Sequence, residues 1–235
     1  MVHGSRRRPD SGDVRAHVLL TTRRTLSEFL GTALLVMAVV GSGIMATDLS
    51  RDVGVQLLAN AIATGGALYG LIKVFGPVSG ASFNPVVTLV SWWLDRAAGV
   101  KVVILDIAAQ FAGATVGCWA ANAMFSRPLF ELSTKDRSGG PQWFAEVVAT
   151  VGLIVIIRGG TRVRADVAAL VAWWIVGAYW FTSSTSIANP AVGFGRMFSD
   201  SFAGIEPGSW PLFALMQLVG GACAVVLVRG LFGKE

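Results

Sequence analysis

Two stretches of this chain are apolar enough to enter a membrane, yet too short and too broken to cross one. They are GPVSGASFNPVVTLVSWWL at 76–94 and STSIANPAVGFGRMFSD at 184–200, and each holds Asn-Pro, at Asn84-Pro85 and Asn189-Pro190. Around them lie six stretches near the ~20 apolar residues that a spanning helix needs: 26–46, 53–73, 101–125, 142–158, 167–184 and 210–232. The order is span, span, broken segment, span, and then the same again. The openings of the halves also match, as Glu28-Phe-Leu-Gly-Thr32 and Glu146-Val-Val-Ala-Thr150. With three spans per half the second copy enters from the opposite side, which is an inverted-topology repeat. In such folds paired Gly/Pro-interrupted segments at matching positions point to the permeation site. The expected fold is an all-α membrane protein: six transmembrane helices plus two re-entrant half-helices, with repeat one at about 26–125 and repeat two at about 142–232.

Charge supports this reading. Only 14% of residues are charged, against roughly 25% in soluble domains, so a 235-residue globule could not solvate its surface. The net charge of +5 would suggest nucleic acid in a soluble protein, but its location argues otherwise. Arg6, Arg7, Arg8, Arg15, Arg23 and Arg24 precede the first apolar run, in a tail (1–25) without periodicity that reads as disordered and cytoplasmic. The following run is too long for a signal peptide and has no clean cleavage site, so it reads as a retained span. With the N-terminus inside, inner segments collect fourteen Lys and Arg, and outer ones five: Arg51, Arg127, Lys135, Arg137 and Arg196. The positive-inside rule then puts both termini in the cytoplasm, with the chain in the plasma membrane and no nucleic-acid partner.

Histidine and thiol chemistry have no footing. His3 and His17 lie in the tail, and Cys118 and Cys223 sit singly inside apolar runs. They form neither a disulfide framework nor a zinc-spaced cluster. No enzyme, metal or cofactor is expected.

Asn-Pro at the head of a short helix has a definite meaning. Proline fits the first helical turn; asparagine caps it, its side-chain oxygen accepting from a backbone N–H, which leaves the amide NH2 free as a donor. Two such half-helices entering from opposite faces meet N-terminus to N-terminus, each end carrying roughly half a positive charge. The expected result is a narrow wet passage that admits neutral hydrogen-bonding molecules and repels cations and protons.

SGASFNPVVTL (79–89), SIANPAVGFGR (186–196), the paired Glu-x-x-x-Thr openings and Ala109-Gln110 resemble the aquaporin (major intrinsic protein) family over about residues 25–232. The resemblance implies one pore per protomer, usually in a homotetramer, and passive conduction of water or small neutral solutes. It makes Asn84 and Asn189 the central donors, within boxes completed by Pro85, Val86, Pro190 and Ala191. It gives Glu28 and Glu146 a structural role, hydrogen-bonding the backbone of the re-entrant loops; a carboxylate buried in a membrane is costly unless paired.

Two departures bear on the solute. Val86 stands where alanine is usual in the first box. Val192 stands where family members usually carry the arginine of the outer constriction, and counting from the boxes places Thr64, Gly177 and Ser186 at its other positions. Val176 and Ala178, beside Gly177, are equally small. Without a guanidinium or an aromatic ring the neck is expected to be wide and without fixed charge. It would pass glycerol-like polyols, urea and metalloid hydroxides such as arsenite, methylated arsenicals included, along with water. GRMFSDSFAGIEP (195–207) resembles bacterial members associated with arsenic handling. Arg196, one turn beyond Val192, either guards the outer mouth, attracting oxyanions, or pairs with Asp200 four residues on. Asp106 either lines the inner vestibule or makes an interfacial pair near Lys101. Trp92-Trp93 and Trp173-Trp174 read as packing or belt residues, and the 28 glycines fit close helix contacts. Against the channel stand a water-selective pore, a proton- or ion-coupled carrier, which would need titratable groups along the path, and a non-conducting membrane protein.

Overall fold

The computed structural model describes residues 11–96 and 98–233. Its elements are α1 (Ser11–Leu49), α2 (Val53–Ser79), α3 (Pro85–Asp95), α4 (Val100–Met124), α5 (Gly140–Arg162), α6 (Val167–Phe181), α7 (Pro190–Arg196) and α8 (Trp210–Phe232). No strand occurs among the described residues. Two short helices, α3 and α7, sit at the two broken segments, so the span, span, half-helix, span order appears twice.

Five of the helices are long and apolar enough to cross a membrane. The exception is α6, expected at 167–184. It has 15 residues and a length of about 22 Å at 1.5 Å per residue. It stops because Thr182 is extended, at φ −109° and ψ 137°, and the chain continues as the lead-in to α7. Irregular backbone at such depth is tolerated where protein covers it, and Thr182, Ser184 and Ser186 are all buried. A second difference lies at the start. Residues 11–25, expected to be disordered, belong to α1; the first ten residues of that tail lie outside the described ones. At the end of this extension Arg24 Nε donates to Asp106 Oδ2 on α4 at 2.6 Å.

Glycines set the helix crossings, and they do so in duplicate. A Cβ at Gly113 would lie 2.3 Å from the Phe29 carbonyl oxygen, and one at Gly117 would lie 2.1 Å from that of Ala33. This is a small-xxx-small contact that lets α4 touch the backbone of α1. In the second half, a Cβ at Gly220 on α8 would lie 2.9 Å from the Val147 carbonyl oxygen on α5. Gly113 and Gly220 each sit three residues after a glutamine, and Phe29 and Val147 each follow the repeated glutamate. Two polar ties join elements at one end of the bundle: Arg158 to Asp95 in bidentate fashion, at 2.9 and 2.7 Å, and Lys73 to Asp166 at 3.3 Å.

Candidate functional site

Each half-helix begins as its Asn-Pro predicts. Asn84 and Asn189 are extended N-caps, and Pro85 and Pro190 occupy the first turn. Asn84 Oδ1 accepts from Val86 N at 2.9 Å; Asn189 Oδ1 accepts from Ala191 N at 3.0 Å and Val192 N at 3.2 Å. The amide nitrogens cross over. Asn84 Nδ2 donates to the Ala188 carbonyl at 2.7 Å, and Asn189 Nδ2 donates to the Phe83 carbonyl at 2.7 Å. Each NH2 carries two protons, so this clasp uses one and leaves the other for the lumen.

The chain ahead of each asparagine is bent in the same way. Left-handed φ values occur at Gly80, Ala81 and Phe83 before Asn84 (88°, 50° and 48°), and at Thr185, Ser186 and Ala188 before Asn189 (59°, 51° and 47°). Non-glycine residues in that region cost about 1–3 kcal/mol each and persist only where their surroundings force them. Here a buried carboxylate does so. Glu28 Oε1 accepts from Ser79 Oγ at 2.5 Å and Ser82 N at 3.1 Å, and Oε2 accepts from Phe83 N at 2.7 Å and Gln110 Nε2 at 2.8 Å. Glu146 Oε1 accepts from Ile187 N at 2.9 Å; its Oε2 accepts from Ala188 N at 2.7 Å and Gln217 Nε2 at 2.5 Å. The Glu–Gln pairs are therefore duplicated, though only Gln110 was singled out in the sequence. Gln217 was legible through its position, three residues before Gly220.

A cavity of about 360 Å³ runs between the half-helices, large enough for a file of waters. Its wall extends from Arg24 and Asp95 at one end, past Asn84 and Asn189, to Thr64, Tyr179, Ser186, Val192 and Arg196 at the other. Pro85, Val86, Pro190 and Ala191 stand behind the wall.

Three expectations need correction here. Gly177 does not line the cavity; Tyr179, two residues on, does. Counting from the box fails because α6 ends at Phe181 and the irregular lead-in changes the register. The neck therefore keeps an aromatic ring, whose hydroxyl lies 3.3 Å from Thr64 Oγ1. It also keeps a guanidinium, since Arg196 lines the lumen. Arg196 does not pair with Asp200: α7 ends at Arg196, so the helical register that would bring residue 200 alongside is lost. Its Nε donates to the Ala203 carbonyl, while the Asp200 carboxylate accepts from Thr134 N at 2.9 Å. Of the two readings of Asp106 the ion pair holds, with Arg24 as its partner: Asp106 is buried and does not line the cavity, whereas Arg24 does. Trp92, read as a packing or belt residue, also lines the cavity, as does Asp95, and Arg96 stacks over Trp92 with its Cζ 4.8 Å from the ring centroid.

Two opposed half-helices clasped around a lined lumen define a transmembrane channel for small solutes. The chain belongs to the major intrinsic protein family, whose model matches residues 15–183. It is 49% identical to the aquaglyceroporin AqpS of Rhizobium meliloti (strain 1021) over 214 residues, covering 89% of this chain and 90% of the relative. It is 27% identical to an aquaglyceroporin of Toxoplasma gondii over 78% of this chain and 68% of that protein. The X-ray structure of the aquaglyceroporin from Plasmodium falciparum shares the fold, with a TM-score of 0.71 at 18% identity, covering 90% of this chain and 96% of that one. The second box, 186–196, falls outside the range that the family model matches but inside the stretch aligned with the Rhizobium meliloti relative.

Proposed function

We propose that this channel conducts small neutral solutes wider than water, with water permeating as well. The candidates are glycerol-like polyols, urea and uncharged metalloid hydroxides such as arsenous acid, methylated forms included. The observation that carries this reading is the neck. Val192, at the position where the family resemblance implies an arginine, and Ser186 line the same lumen as Thr64, whose hydroxyl lies against that of Tyr179. A valine and a serine there leave room for a carbon skeleton, and the hydroxyls and the Asn84 and Asn189 amides supply its hydrogen bonds. The site turns over nothing, and a neutral solute crosses by exchanging water for these partners one at a time. The relatives from Rhizobium meliloti and Toxoplasma gondii are both aquaglyceroporins, which points the same way.

The protein is read as residing in the plasma membrane as a homotetramer. By the distribution of Lys and Arg, the Arg24 end faces the cytoplasm and the Arg196 end faces outward.

The test is stopped-flow swelling of proteoliposomes with glycerol, urea and arsenous acid, for the wild type and for Val192→Arg. Wild-type vesicles are expected to pass all three, and Val192→Arg to slow glycerol far more than water. Fast water flow with no solute flow in the wild type would overturn the reading. It would favour a water-selective pore, for which the Tyr179 ring at the neck is the supporting observation.

A further inference from the structure

Three cations meet at the Arg196 end of the lumen, each held by one of three consecutive carbonyls. Lys135 Nζ donates to Phe202 O at 2.6 Å, Arg196 Nε donates to Ala203 O, and Arg137 Nε donates to Gly204 O at 2.8 Å. Lys135 and Arg137 come from the segment between α4 and α5, and Arg196 ends α7. Arg137 reaches further, its Nη1 donating to Ser184 O at 3.1 Å and Thr185 Oγ1 at 3.3 Å. It thereby grips the left-handed lead-in that carries Ser186. Arg137 and Arg196 are almost fully buried.

No carboxylate offsets these charges at ion-pair distance. The ion pairs among the described residues are Arg24–Asp106, Lys73–Asp166 and Arg158–Asp95. Glu146, which is close enough to act on Arg137 electrostatically, is already committed to Ile187, Ala188 and Gln217. The cations sense one another. Burial, and then the charge of Arg196, pull Arg137 down to about 9; burial, then Arg137 and Arg196, pull Lys135 down to about 8. Both remain protonated at neutral pH. A buried charge is retained at such cost only where the surroundings fix it, and a row of backbone carbonyls fixes these without cancelling them. Of the three, Arg196 alone lines the lumen. Ser186 Oγ, which also lines the lumen, is buried without a hydrogen-bond partner, so this part of the wall is polar and unsatisfied.

The geometry points to Arg196 as the residue that keeps cations out of the lumen, in place of a charge at Val192, with Arg137 and Lys135 as positioning residues that hold the Phe202–Gly204 carbonyls around it. This rests on the channel reading and adds what it lacks. A neck opened by Val192 stays selective against cations because the guanidinium sits one turn further along α7. Steric room and charge are thereby separated into two residues, so the neck can pass a bulky neutral molecule and still repel K⁺.

The test uses full-length protein in liposomes loaded with a K⁺-sensitive dye, with urea swelling read on the same vesicles. Wild-type protein is expected to pass urea and no K⁺. Arg196→Gln keeps a donor for Ala203 O but loses the charge, and is expected to raise the K⁺-to-urea flux ratio on the order of 10-fold. That is the effect of one unit charge about 10 Å from the ion at an effective dielectric near 20. Arg196→Lys keeps the charge and is expected to stay tight, whereas Arg137→Gln is expected to leak less than Arg196→Gln and to be restored by Arg137→Lys. If Arg196→Gln does not insert, Arg196→Met and the Arg137 pair carry the comparison. The proposal is overturned if the neutral variants remain as tight as the wild type while passing urea, or if Arg196→Lys leaks as they do. It also fails if wild-type protein passes K⁺. Wild-type vesicles that pass no neutral solute would instead refute the channel reading itself.

Discussion

The substitution of valine for the usual alanine in the first box has a matching absence on α8, and the pair can be tested. Val86 is buried, and a Cβ at Gly221 would lie 2.6 Å from its Cγ1 and 3.4 Å from Val90 Cγ2. Carbon atoms pack best at about 3.5–4.0 Å, so Gly221→Ala must push α3 and α8 apart by about 1 Å or twist Val86 from its rotamer. Overpacking of that kind costs about 1–3 kcal/mol. Val86→Ala alone removes two methyls and leaves a void. In a bilayer the lipid tails are as apolar as the protein, so the packing term dominates and the cost falls near about 1 kcal/mol. In Val86→Ala/Gly221→Ala the new methyl fills the space vacated by the old ones. The double variant should therefore be less destabilised than the sum of the singles, with a coupling energy of about 1–2 kcal/mol. Thermal unfolding in detergent measures it, and because Asn84 caps α3, glycerol flux should fall in Gly221→Ala and recover in the double variant. Strictly additive losses in both readouts would refute the account.

Three further expectations follow from the same contacts. Glu28→Gln and Glu146→Gln each turn an acceptor into a donor facing the loop N–H groups, so each should cost about 2–3 kcal/mol in thermal unfolding and slow urea flux. Since the two clamps match, a loss confined to one of them would contradict the duplicated design. Arg24→Ala leaves the buried Asp106 without its charge partner and should destabilise by about 2–3 kcal/mol, reduced from a fully buried pair because the Arg24 side chain is about one-third exposed. Arg24→Ala/Asp106→Ala should unfold later than Arg24→Ala, and the opposite ranking would show the pair contributes little. For pH, Lys135 is held at about 8 in the fold against an ordinary value of 10.5. Between those values the unfolded chain holds the proton that the fold has shed, so stability rises with pH across that window. Lys135→Gln should flatten the rise in melting temperature from pH 8 to 10, and an unchanged slope would exclude it; Arg137, held at about 9, contributes in the same direction.

The architecture was legible because membrane chemistry leaves few options. An apolar run near 20 residues is a helix, and Asn-Pro in a broken run is a capped half-helix; both forms repeat in this chain. The clasp was half legible. Cap and proline follow from residue type, but the crossing of each amide to the opposite carbonyl depends on three left-handed residues per loop, and at Ala81, Phe83 and Ala188 nothing in the side chain announces that backbone. The neck was least legible. Gly177 was reached by counting through Thr182–Ala188, where the backbone leaves the helix, so a register argument had no footing and Tyr179 was missed. Arg137 was beyond sequence reasoning altogether, because it lies in a loop about 50 residues before the segment it grips.

In a chain built by inverted duplication, matched positions make a symmetric passage, and a difference between its two ends comes from the positions that do not match. The asparagines, the glutamate clamps and the helix-crossing glycines are paired. So are Val87 and Val192, each three residues after its asparagine and each lining the lumen. One turn further on the pairing breaks: Ser91 lines one end and Arg196 the other. The crossings of the half-helices break it in the same way. On one side Gly195 of α7 meets the Ala114 carbonyl of α4; on the other, Val86 and Val90 of α3 meet Gly221 of α8. The glycine thus sits on the half-helix in one repeat and on the spanning helix in the other. At the Arg24 end Arg24, Lys73 and Arg158 each have a carboxylate within ion-pair distance, whereas at the Arg196 end Lys135, Arg137 and Arg196 are held by backbone carbonyls and, for Arg137, the Thr185 hydroxyl as well. The lumen is therefore a duplicated conduit whose two mouths differ, with Arg196 lining the same end as Thr64, Tyr179, Ser186 and Val192. In the function proposed above, charge and size are tested together at one neck, while the rest of the duplicated wall serves any hydrogen-bonding solute that has passed it.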